Sequence, residues 1–196
     1  DHKFYVTLNL AGENQPISSH QLLTTSGNGL YTQSPIPYFC KKLFMQALLV
    51  LHNLLRWLIL LFGIWTVLAA LIGLFGKKAF TPGDSRSNFW FMLSMDVELL
   101  SGLALYFIGS WYDRLKHLAE NMKDANLRFF TMEHAVMMIL AWILVHMGRV
   151  FVKKAITSRA KFIRSVVFFG IALVLILFAT PWPFREMVGR PLFRWF

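Results

Sequence analysis

The chain has 196 residues, of which 56% are hydrophobic and only 15% charged, and it carries a net charge of +10. A charged fraction well below the roughly 25% of soluble domains excludes an ordinary water-soluble core. The Lys and Arg residues sit in short segments beside apolar runs, not in a stripe interleaved with aromatics, which excludes nucleic acid as a partner and assigns the charge to lipid headgroups and topology.

Residues 1–44 are polar, rich in Ser, Thr, Asn, Gln and Gly, and lack the basic, apolar and small-residue regions of a signal peptide. They predict loop or disorder. The first methionine, Met45, stands at the start of the first apolar run. Two readings are open for the preceding stretch: a non-native extension ahead of a start at Met45, or a flexible tail on one face of a membrane. Cys40, the single cysteine, has no partner for an internal disulfide or a CxxC centre.

Residues 45–196 are expected to form one transmembrane domain. The first apolar run lies within 43–76, interrupted only by Arg56, and ends in Gly73, Gly76, Lys77 and Lys78. The second lies between Arg86 and Asp113. After it, Trp111, Leu115, Leu118 and Met122 recur at helical spacing among charges, which predicts a short amphipathic helix on the membrane surface. The third run begins near Phe129 and reaches Met147, and a basic loop follows. The fourth, residues 165–184, has no charge and closes on Pro181, Trp182 and Pro183, an interfacial signature. Runs of this kind match the ~20 residues that cross a ~30 Å hydrocarbon layer. The expected fold is all-α: an integral membrane four-helix bundle with the surface helix between its second and third members. A small transporter or proton pathway is a third functional reading, disfavoured by the absence of an internal repeat or a broken span.

The loops on the two sides carry nine Lys or Arg each, but the third loop, with Arg149, Lys153, Lys154, Arg159, Lys161 and Arg164, is the densest basic cluster. That places the basic loops in the cytoplasm of a bacterial cell and both termini in the periplasm.

The ionisable residues within the runs are the candidate functional groups: His52, Arg56, Asp96, Glu98, Glu133, His134, His146 and Arg149. His52 and His134 lie at similar depth, each on the order of 6 to 10 Å from its helix end. Two imidazoles on different helices at one depth fit axial ligation of a b-type haem. They equally fit hydrogen bonds between helices. Arg56, at i+4 from His52, shares its face and suits a haem propionate, Glu98 or Glu133. Asp96 and Glu98 point about 200° apart. Glu98 shares its face with Ser94, Ser101, Gly102 and Gly109 and is expected to face the bundle, whereas Asp96 is expected to be protonated or paired with His146 or Arg149. His146 is offset from His134 by about 120°, which disfavours a second haem and suggests a polar or lipid-phosphate contact instead. The methionines near mid-span read as gap fillers, not copper ligands.

LHNLLRW at 51–57, GKKAFTPGD at 76–84, LRFFTMEH at 127–134, HMGR at 146–149 and PWPFREMVGRP at 181–191 resemble a family of small bacterial inner-membrane proteins often labelled cytochrome b-like. The likeness covers nearly the whole membrane region. It implies a haem-binding bundle, although relatives tend to carry a His and a Gln where this chain has Asp96 and Glu98, which leaves His52 and His134 as the ligand pair. Two functions follow: a haem b electron-transfer subunit or anchor of a larger respiratory or redox membrane complex, or a non-catalytic accessory subunit of such a complex. In neither is the chain expected to be an enzyme on its own, and no cofactor other than haem b is expected.

Overall fold

The computed structural model describes residues 36–193, which are helical throughout their regular structure. In chain order the elements are α1 (Ile36–Phe75), α2 (Pro82–Ile108), three short pieces α3 (Trp111–Leu115), α4 (Leu118–Asn121) and α5 (Ala125–Arg128), a π-turn (Phe129–Glu133), α6 (His134–Lys154) and α7 (Ser158–Ala179). Four segments are long and apolar enough to cross a membrane: Cys40–Phe75, Pro82–Ile108, Ala125–Lys154 and Ser158–Ala179. The chain is a four-helix bundle of a multi-pass membrane protein.

Two boundaries differ from the sequence expectation. The first helix begins at Ile36, ahead of Met45, because the residues from Cys40 onward continue the α1 register without a breaker. Residues 1–35 lie outside the described residues. The expected amphipathic helix from Trp111 to Met122 is two one-turn pieces, α3 and α4, because the backbone breaks at His117 (φ −109°, ψ 38°).

Local chemistry sets the ends. At α2, Thr81 caps the helix by accepting from the Asp84 amide at 3.3 Å, while Asp84 accepts the Thr81 amide at 2.8 Å, with Pro82 in the first turn. This reciprocal box satisfies two orphan donors. Thr157 caps α7 with a single bond, its side chain accepting from the Ala160 amide at 3.2 Å. α1 ends in a Schellman motif: Lys78 N donates to Gly73 O at 3.0 Å and Lys77 N to Leu74 O at 3.4 Å.

The core runs between all four spans, with Ile59 and Leu60 of α1, Phe91 and Met95 of α2, Ala141 and Val145 of α6, and Phe169, Ala172 and Ile176 of α7. Small residues bring the backbones together. A methyl group on Gly148 would stand 2.7 Å from Phe168 Cβ, and one on Gly73 would stand 2.3 Å from the Phe162 ring, so α6 and α1 approach α7 only because those positions are bare. α2 turns its polar face inward: Ser87, Asn88, Ser94, Glu98 and Ser101 are all buried. Leu, Ile and Trp side chains cover the outside, among them Leu61, Trp65, Leu68 and Ile72 on α1 and Ile139, Leu140 and Ile143 on α6. An apolar exterior around a polar-lined interior fits hydrocarbon as the solvent.

Lys77 occupies the left-handed position of the Schellman motif with φ 51°, a conformation that disfavours any side chain with a Cβ. Lys77→Gly should therefore stabilise the protein by about 1 kcal/mol, read as a raised thermal midpoint in detergent. An unchanged or lowered midpoint would show that α1 does not depend on this turn.

Candidate functional site

The bundle end where α1 and α6 begin and α2 and α7 finish holds a cluster to which all four spans contribute. His52 projects from α1, Glu98 and Ser101 from α2 and His134 from the first turn of α6, while the last residue of α7, Ala179, offers its carbonyl. The rings of His52 and His134 stand with centroids 6.3 Å apart and planes crossed at 75°. The depth match read from the sequence thus corresponds to adjacency in space.

The hydrogen bonds define the tautomers. His134 Nδ1 lies 2.8 Å from Ala179 O. A carbonyl only accepts, so Nδ1 carries the proton and Nε2 keeps its lone pair. The same bond occupies a carbonyl that the end of α7 would otherwise leave unpaired. His52 Nδ1 lies 3.0 Å from Ser101 Oγ and 3.3 Å from Glu98 Oε2, and Ser101 Oγ lies 2.9 Å from the Glu98 carbonyl; with the single hydroxyl proton on that carbonyl, Ser101 accepts from Nδ1. His52 Nε2 is likewise left free of these contacts. Glu98 is only 4% exposed. A methyl group added at Gly102 would meet His52 Cε1 at 3.3 Å, so the glycine gives the ring its room.

The π-turn positions His134. Its wider winding inserts one residue relative to an α-helix and sets the phase at which α6 starts. Tyr106 Oη donates to Thr131 O at 2.8 Å, pinning the turn to α2. Phe129 and Phe130 flank His134 with centroids 5.9 and 6.2 Å away.

Over this end folds the segment after α7. Arg185 lies 4.7 Å above the Phe129 ring and Arg190 4.8 Å above Phe130. Arg56 Nη2 and Trp57 Nε1 both donate to Leu192 O, at 2.6 and 3.3 Å, and Phe193 stacks on Trp57 at 5.4 Å. Arg56 thus reaches the tail instead of a carboxylate. Its Nε, with Asn53 Oδ1 and Thr131 Oγ1, is buried without a hydrogen-bond partner among the described residues.

The other sequence candidates lie elsewhere. Glu133 pairs with Arg128 at 2.6 Å, about one-third exposed. Asp96 points away from Glu98, as the helical angle requires, and meets Trp142 and His146 of α6. Arg149 donates to Ser85 O at 3.2 Å and stacks on Phe89 at 5.1 Å. Among the described residues, no group of three His, Cys, Asp or Glu side chains is placed to hold a metal ion. Sequence reasoning missed the Ala179 carbonyl and the stacked Arg185 and Arg190. A backbone acceptor leaves no trace in residue identity, and the two arginines read only as interfacial charge.

Because Arg56 and Trp57 share the Leu192 carbonyl as acceptor, the pair Arg56→Ala and Trp57→Phe should release the end of the tail, residues 191–193, to limited proteolysis while the thermal midpoint of the bundle stays nearly constant. Cleavage no faster than in the parent protein would place the tail's anchor elsewhere.

No protein-family model, curated protein or solved structure matches the chain.

Proposed function

We propose that the protein binds one haem b between His52 and His134 and serves as an electron-carrying subunit or anchor of a larger redox complex, in a bacterial inner membrane with both chain ends on the periplasmic side. The observation that carries this reading is the tautomer pair. Two imidazoles from opposite helices each hold Nδ1 against a protein acceptor and keep Nε2 free, the outer-shell arrangement of metal-binding histidines.

Other features of the cluster fit the same group. The two rings stand beside each other at one bundle end, with 6.3 Å between their centres, so His52 and His134 are the residues that would hold the iron of one haem. Two imidazoles are too few ligands for a bare ion, whereas a macrocycle brings four nitrogens of its own. Asn53, Arg56 and Thr131 keep buried polar atoms unpartnered beside the pair, as a site for a polar-edged ligand would. Bound there, haem would supply a reversible one-electron couple. The chain's own residues would set its surroundings: the Glu98 carboxylate and the Ser101 hydroxyl would hold the His52 ring, the Ala179 carbonyl would hold His134 in one tautomer, and Phe129, Phe130 and the tail would exclude water. The resemblance to proteins labelled cytochrome b-like points the same way.

The competing reading, a non-catalytic accessory subunit, rests on the fact that each of these hydrogen bonds also ties two helices together. Purification in detergent from haem-supplied cells, followed by a reduced-minus-oxidised spectrum and a pyridine haemochrome assay, separates the two. The haem reading expects a reduced b-type band with one haem per chain, lost in His52→Ala and in His134→Ala with helical content retained, and kept in His146→Ala. A colourless protein of intact helicity, or a band lost only in His146→Ala, would overturn it.

A further inference from the structure

On the opposite face of α2 from Glu98, a second ionisable pair lies deep in the spans. Asp96 is roughly 20 Å from either end of α2 at 1.5 Å per residue. His146 Nε2 stands 3.2 Å from Asp96 Oδ1, and Trp142 Nε1 donates to the same oxygen at 2.7 Å. The Trp142 and His146 rings lie 4.3 Å apart, and the Asp96 and His146 side chains are each 33% exposed, on the lipid side of α2 and α6.

Counting protons decides what this contact is. His146 Nδ1 lies 3.0 Å from Trp142 O, one turn back on its own helix. The carbonyl can only accept, so the Nδ1 proton is committed there. Nε2 and Oδ1 then face each other at 3.2 Å. Without a further proton both would present lone pairs, and the pair would carry a net negative charge against hydrocarbon, which is costly. With one proton between them the contact is a hydrogen bond, and the pair is neutral, whether as imidazolium with carboxylate or imidazole with carboxylic acid. With two, it would carry a net positive charge in the same medium.

Among the described residues, no neighbouring group supplies a compensating charge. Arg149, next along α6, is directed to Ser85 O and the Phe89 ring. On α2, Glu98 faces His52. α7 has no ionisable side chain between Ser165 and Ala179, and within 43–75 α1 carries only His52 and Arg56, which belong to the other cluster.

We propose that Asp96 and His146 form a proton-binding site inside the membrane, in which carboxyl and imidazole share a single proton and remain neutral as a pair. Trp142 orients both partners, by its N–H to the carboxyl and its carbonyl to the ring. The site is read without any cofactor and stands whether or not His52 and His134 hold haem.

The test uses the full chain in lipid nanodiscs, labelled with 15N in histidine and 13C in aspartate, with the His146 and Asp96 signals assigned by their loss in His146→Gln and Asp96→Asn. Between about pH 5 and pH 8, where a free imidazole changes charge, the pair should hold one proton throughout: either both ring nitrogens protonated beside a carboxylate, or Nδ1 alone protonated beside a carboxylic acid. A bare Nε2 together with a carboxylate, or a change of net charge within that window, would overturn the proposal. Thermal midpoints give a second readout. Trp142 and His146 meet the same oxygen of Asp96, and an amide can pair with only one of them there, so Asp96→Asn should lose part of the stability that Asp96→Ala loses by stranding both, about 5 °C in the latter. Equal loss in both variants, or none in either, would also overturn it.

Discussion

Two carboxylates two residues apart on one membrane helix cannot turn to the same neighbour. Glu98 and Asp96 project from α2 in opposed directions, and each meets an imidazole from another span, His52 of α1 and His146 of α6. In hydrocarbon, a carboxylate without such a partner is costly, so these two contacts fix the rotation of α2 about its axis. The buried row of Ser87, Asn88, Ser94 and Ser101 follows from that rotation. So does the position of Ser101 beside His52, which sets the tautomer of that ring.

The packing repeats the logic with apolar groups. α6 buries Ala141, Val145, Gly148 and Val152, a row of small side chains, and the bare Gly148 gives room to Phe168 and Phe169 of α7. Close backbones leave little space between spans, so the open side of His134 is bounded by rings that arrive from outside the regular helices: Phe129 from the π-turn, with Arg185 above it. The His pair is rigid on its helix side and covered on the other by a segment held through a few polar contacts.

How much of this the sequence disclosed depended on the kind of signal. Four spans were legible because uninterrupted apolar runs have one physical reading at that length. The juxtaposition of His52 and His134 was legible because depth along a helix is set by residue count, and the divergence of Asp96 and Glu98 because helical angle is too. The choice of His146 over Arg149 as the partner of Asp96 needed the rotation of α6, which the π-turn alters without any breaker residue to announce it. Arg56 could not be placed from its own helix, because its acceptor is a backbone carbonyl far along the chain. The surface segment was legible in part: the apolar spacing of Trp111, Leu115, Leu118 and Met122 is helical, but the break at His117 lies in backbone angles rather than in residue type.

The acceptor of His134 belongs to the last residue of α7, and that fact imposes an order on biogenesis. A ribosome delivers α1, α2 and α6 to the membrane before α7, so during that interval both imidazoles can already be inserted while His134 lacks the carbonyl that holds its ring. The cluster therefore acquires its final geometry only when the fourth span enters, and the covering tail follows α7 off the ribosome. Any ligand that needs both rings oriented would have to arrive after translation of the spans is complete, from the lipid or through the side that the tail later closes.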